Sequence, residues 1–165
     1  MQEIITERRS IRSFTDEPIS DLDIDEILTM GTWAPSGLNN QPWKFAIVRN
    51  PAVRGTMAEY TRYSSCIESA AVCIAVFLDT EASYHREKDI QAIGACIQNM
   101  LLTIHAKALG AVWLGEILNH HRDVEQLLQV PNTMELMAVI ALGHPAEPGR
   151  PATRVPASEC ILYRD

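Results

Sequence analysis

The segment that most constrains this chain is Ala70–Leu78 (AAVCIAVFL), an apolar run with no polar interruption. It falls well short of the roughly 18 residues that a membrane-spanning helix needs. Its β-branched and aromatic residues suit a strand, and the lack of polar alternation suits one covered on both faces. Trp43–Val48 (WKFAIV) and Glu135–Leu142 (ELMAVIAL) are further strand candidates, with a short one at Ala111–Leu114.

Helical segments fill the intervals. Gln2–Arg9 reads as a short helix. A second follows Pro18, with Ser20 as its cap and Asp23 as a short-armed capping-box partner. Leu22, Ile24, Ile27 and Leu28 give it a mostly one-sided apolar surface. Pro51 opens a third helix to about Tyr60. The longest covers Asp89–Leu109, where Ile90, Ile93, Ile97, Met100, Leu101, Ile104 and Ala108 recur at steps of three and four, until Gly110 stops the run. Arg122–Leu128 is a last helix. The tail from Gly143 is rich in proline and ends in Cys160–Tyr163, read as an edge strand. This order predicts an α+β sandwich, a central mixed sheet flanked by helices, in a single domain over 1–165.

Composition narrows the function classes. The chain is 47% apolar and 21% charged, which suits a packed fold rather than a disordered one. Its net charge of −7 argues against non-specific nucleic-acid binding. The N-terminal MQEIITERRSIRSF lacks the apolar core of a secretory signal, so the expected location is the cytoplasm, with no membrane association. Cys66, Cys73, Cys96 and Cys160 are too far apart for a CxxC redox or zinc motif and read as small buried hydrophobes. No metal site is expected. The glycines never fall as GxG or GxxxxGK, which removes the Rossmann turn and the Walker loop.

Three local features carry chemistry. Arg8-Arg9-Ser10-Ile11-Arg12 gathers guanidinium forks suited to phosphate or carboxylate oxygens, and Arg150 and Arg154 form a second basic group in the tail. Taken alone, the first cluster reads better as a solvated helix end answering the helix dipole. The loop Ala34–Pro42 places amides and a hydroxyl between prolines, either to hold a flat polar ring by its edge or simply to turn the chain into Trp43. Trp113-Leu114-Gly115-Glu116 ends a strand with a glycine, which permits close backbone approach and equally suits an ordinary strand end.

The remaining candidates fail. His120 and His121 are adjacent and point about 100° apart on a helix. Glu116 and His120 lack a third ligand. Ser36 sits in no GxSxG elbow. No self-sufficient catalytic constellation exists among the side chains, which points to a cofactor that carries the reactivity.

Taken in order, the three features resemble the nitroreductase family of FMN-dependent oxidoreductases. Arg8–Arg12 resembles its RRSxR opening, and Ala34–Trp43 (APSGLNNQPW) its APSxxNxQPW loop, the most specific match. Gln98–Leu102 with Leu109–Gly115 is similar to its QNxLL helix and LGxxWxG strand. Ala141–Pro145 and Arg154–Pro156 are similar to its LGxP and RxP ending. The resemblance spans nearly the whole chain.

It implies a three-layer sandwich in an intertwined homodimer, with the tail from about 144 to 165 extending onto the partner subunit. It assigns Arg8, Arg9, Ser10, Arg12 and Arg154 to the FMN phosphate and polar rim. Pro35, Ser36 and Asn39 would line the ring from the other subunit, and Leu114, Gly115 and Glu116 would approach its reactive edge. NADH or NADPH would donate, electron-poor acceptors such as nitroaromatics or quinones would be reduced, and no side chain need be catalytic. Alternatives are a flavin storage or sensing module, or a flavin destructase or dehalogenase on the same scaffold. Only about ten residues separate Asp79 from Asp89, so the cover over the site is expected to be minimal.

Overall fold

The computed structural model describes residues 2–165. Its strands are β1 (Trp43–Val48), β2 (Val72–Asp79), β3 (Gly110–Leu114) and β4 (Met134–Gly143), in the spatial order β1-β2-β4-β3. The apolar run becomes β2, and every residue of it is buried. Val72, Ile74, Val76 and Leu78 enter one core with the opposite-facing Cys73, Ala75 and Phe77 in another, the period-2 alternation of a strand covered on both sides.

The helices are α1 (Gln2–Glu7), α2 (Asp21–Thr32), α3 (Pro51–Ala58), α4 (Ser64–Ser69), α5 (Arg86–Ala106) and α6 (His121–Leu127). Ile24 and Ile27 of α2 and Ile93, Ile97 and Met100 of α5 pack on the first face. Met57 of α3, Ile67 of α4 and Val124 of α6 pack on the second. The result is the three-layer sandwich that the resemblance implies. No helix among the described residues is long and apolar enough to cross a membrane.

Several expectations need correction. All three strand pairings are antiparallel, so the mixed sheet reduces to one isolated parallel bridge, Ser10 to Ala111. Side-chain alternation reports which face a residue takes but not the direction of the neighbouring strand. The tail forms a 3-10 turn at Ala157–Cys160 instead of an edge strand, and Arg150–Asp165 is exposed throughout. Cys160 is therefore exposed, whereas Cys66, Cys73 and Cys96 are buried as expected. Burial pushes the Cys73 and Cys96 thiols up to about 12.

Gly110 does not stop α5. It lies in β3, where the Ile11 side chain would come within 2.8 Å of any Cβ added there. Ala108, at φ 58°, takes the left-handed position after the helix. The short α4 was not foreseen, since six residues show no clear period. Its end is held from outside, by the Arg54 guanidinium donating to the carbonyls of Ile67, Glu68 and Ala70. The Ser20 cap is present, with its Oγ accepting from the Asp23 N–H at 3.1 Å.

Candidate functional site

The Arg8–Arg12 segment leaves α1 and runs along the free edge of β3. Ser10 bridges Ala111, and the Ile11 N–H donates to the Ala111 carbonyl at 2.9 Å. This sets Arg8 and Arg9 against Leu101, Ile104 and His105 in the last turns of α5. The tail crosses the same place. Gly149 lies against the Arg9 stem so closely that a Cβ there has no room. Arg150 lines a small cleft with Ser10 and Arg12.

The two distant arginine groups therefore meet. Burial lowers the Arg8 pKa, and the charges of Arg154 and Arg9 lower it further. Arg9 and Arg154 donate to the carbonyls of Thr6 and Thr153, and Arg12 to that of Ser10. Among the described residues none of Arg8, Arg9, Arg12, Arg150 or Arg154 forms a salt bridge with a carboxylate. Glu3 and Glu7 share a cleft with Arg9, and Glu147 one with Arg12 and Arg150, but none reaches salt-bridge distance. The crowded like charges therefore repel one another, and an anion bound among them would relieve that repulsion.

The end of β3 offers a different surface. Leu114 is turned into the core. At Gly115 a Cβ would meet nothing within 4 Å, so no packing within the chain explains its glycine. Glu116 is already engaged: its Oε2 accepts from Thr61 Oγ1 at 2.6 Å and from the Arg62 N–H at 3.3 Å. The Thr61 hydrogen bond is the main cause that holds its carboxyl below the usual carboxylate range.

The loop before β1 is tightly wound. Leu38, Asn39 and Gln41 take φ of 54°, 56° and 48°. That left-handed region costs a non-glycine residue about 1–2 kcal/mol, and only asparagine tolerates it well. Ser36 Oγ accepts from the Gln41 N–H at 3.0 Å, and Tyr84 occupies the space beside Gly37. Pro35 and Asn39 are exposed, and Ser36 is half-buried.

A family model described as the nitroreductase family matches residues 5–65 and 58–144. The chain belongs to the nitroreductase family. A crystal structure of a candidate nitroreductase in complex with FMN, from Desulfovibrio desulfuricans, is 46% identical and superposes with a TM-score of 0.94, covering 99% of this chain and 96% of that one. A candidate NADH dehydrogenase/NAD(P)H nitroreductase of Archaeoglobus fulgidus is 34% identical over 147 residues, 87% of this chain and 84% of the relative. The NADPH:FMN oxidoreductase of Vibrio harveyi, solved with NAD+, is 26% identical at a TM-score of 0.90, covering 99% and 76%.

In this nitroreductase the sheet order decides which of the candidate residues one chain can bring together. Arg8–Arg12 and Leu114–Glu116 both belong to the β3 edge. The Pro35–Asn39 loop feeds β1, the opposite edge, with β2 and β4 between them. Three interstrand spacings amount to about 14 Å. Sequence reasoning missed Thr61 as the partner of Glu116, and Asn40 and Asp89 as the anchor of the loop. Both pairs are distant in sequence, and no spacing signals them.

Proposed function

We propose that this nitroreductase binds FMN and uses NADH or NADPH to reduce electron-poor acceptors such as nitroaromatics or quinones, in the cytoplasm. The observation that carries the reading is the meeting of Arg8, Arg9 and Arg154 without a carboxylate partner. An anion of two charges or so, such as a flavin phosphate, suits that place. The open space at Gly115 suits a flat ring approaching backbone, so the residues present fit the cofactor.

Each residue then has a task. Arg8, Arg9 and Arg154 neutralise the phosphate, while Ser10 and Arg12 meet the polar rim. Leu114 contributes backbone only, since its side chain is in the core, and Glu116 keeps its charge on Thr61. When bound, FMN supplies the hydride-transfer chemistry. Guanidinium groups near the ring favour the added negative charge that accompanies reduction, an electrostatic contribution fixed before any substrate arrives. No side chain acts as a nucleophile.

The site is completed by a second copy of the chain. Support comes from the placement of Pro35, Ser36 and Asn39 across the sheet from the arginines, and from a tail that is exposed in one copy from Arg150 to Asp165. The segment from about 144 to 165 reaches onto the partner in this homodimer. Only Thr80–His85 separates β2 from α5, so little of the chain covers the acceptor side. The test is a visible spectrum. The purified or FMN-reconstituted protein is expected to be yellow and to bleach anaerobically on adding NADH or NADPH. A protein that stays yellow with both donors is a flavin store, and one that takes up no FMN overturns the reading.

A further inference from the structure

We infer that Asp89 is a positioning residue for the flavin-facing loop, fixing Pro35–Asn39 through Asn40 from the first turns of α5. The inference rests on the reading above, in which that loop lines FMN.

Asp89 is 0% exposed. A carboxylate stays inside a protein only where hydrogen bonds replace the water it has lost. Its two oxygens divide that task. Oδ1 accepts from Asn40 Nδ2 at 2.8 Å, which ties the loop. Oδ2 accepts from Ser83 Oγ at 2.7 Å and from the N–H groups of Tyr84 and His85 at 3.1 Å each, which ties the connection in front of α5. Burial pushes this carboxyl up, and the four hydrogen bonds outweigh it and leave the group below its ordinary range. Asp89 is thus charged, buried and shared between two segments.

The loop needs such an anchor. Its three left-handed residues persist only where the surroundings overdetermine them. Leu38, 86% exposed, contributes no packing of its own. Asn40 is held as a donor alone: its second N–H goes to the Ala82 carbonyl at 3.0 Å, and its Oδ1 is buried with no partner among the described residues. A side chain that buries an unsatisfied oxygen to keep two donors in place has been fixed by those donors. Asp89 and Asn40 therefore transmit the position of α5 to Asn39, one residue away.

Two variants test this. In Asp89→Asn no amide orientation serves, because the NH2 group meets either the Asn40 donor or the N–H groups of Tyr84 and His85. Asn40→Ala is milder, since it leaves Ser83, Tyr84 and His85 on Asp89. Should Asp89→Asn fail to fold, Asn40→Ala decides alone. FMN affinity is titrated on folded apo-protein by quenching of flavin fluorescence, well below the melting temperature, where a loss of global stability leaves Kd unmoved. Amide hydrogen exchange at residues 37–41 is measured in parallel. The expected result for Asn40→Ala is a Kd raised about tenfold, with faster exchange at 37–41 and unchanged exchange in β2. A Kd within about twofold of the parent overturns the inference, as does unchanged exchange at 37–41. A parent chain that binds no FMN overturns the functional reading instead, and the exchange measurement then decides the anchor by itself.

Discussion

β2 and the tail are opposite extremes of one chain. Every residue of β2 is buried by its own chain, and every residue from Arg150 to Asp165 is exposed. Yet the two do not differ simply as apolar core against polar surface. The tail carries Val155, Ile161, Leu162 and Tyr163, large apolar groups left in water. What separates them is where their neighbours come from. β2 has helices on both faces and strands on both edges within the chain, whereas the tail has a basic anchor point near Arg9 and little beyond it. One region is covered by its own chain and the other is left exposed by it.

The largest expected effect strikes the covered region. Phe77 is 1% exposed between β4 and the second helical layer, so Phe77→Ala leaves a cavity that the strands on either side cannot close. The expected cost is about 3–5 kcal/mol, read as a lower urea midpoint with unchanged slope. A cost under about 1 kcal/mol, well below the range for truncating a buried phenylalanine, would mean that β2 does not anchor the second core.

Truncation after Gly149 strikes the exposed region. Sedimentation equilibrium is expected to show a monomer, and gel filtration a colourless protein that retains native far-UV circular dichroism. A truncated chain that remains a yellow dimer would show the tail to be dispensable for both pairing and FMN retention.

The third effect is smaller and finer. Arg8→Ala and Asn39→Ala should each weaken FMN binding, by about 1.5–3 kcal/mol, or roughly ten- to a hundred-fold, for loss of the charged hydrogen bond of Arg8. A heterodimer of the two variants, isolated through different tags, separates the geometries. If each site draws on both chains, one site carries both lesions and the other none, and about half of the parent FMN content returns, as two-fold symmetry requires. If each chain holds its own site, nothing returns.

The same division explains what could be read from the sequence. β1, β2 and β4 were legible because alternation or continuous apolarity is imposed by a core the chain builds itself. The Ser20 cap was legible because its partner, Asp23, lies three residues on. Strand direction, the tail conformation and the role of Gly110 were not. Strand direction is set by partners remote in sequence, β2 opposite β1 and β4 opposite β2 and β3, and the role of Gly110 by Ile11 over it. The tail is exposed, with no core to impose a pattern. The arginine groups are an intermediate case. Their composition was visible, but only the fold brings Arg154 to Arg8. Glu116 shows the limit most clearly, since its partner Thr61 comes from the segment between α3 and α4.

That contact carries the smallest expected effect, at the boundary between the core and the candidate site. Thr61 is nearly buried, Glu116 half-buried, and their hydrogen bond pins the turn after β3 to the start of α4 within one chain. Because the folded pKa of Glu116 lies below its unfolded value of about 4.3, the charged form is the one the fold prefers. Its contribution is present above that unfolded value and is lost as pH falls through the folded pKa. Glu116→Gln removes the titration while keeping a carbonyl oxygen as acceptor for Thr61. The parent should therefore be the more stable of the two at pH 7, and the gap between their urea midpoints should close as pH falls from that unfolded value through the folded one. FMN content at pH 7 should stay near that of the parent, since the carboxylate is spent on Thr61 and Arg62 rather than on the ring. A gap that stays constant with pH would show that the carboxylate is not the stabilising group. A loss of FMN with stability unchanged would move Glu116 from the framework of the chain into the flavin site.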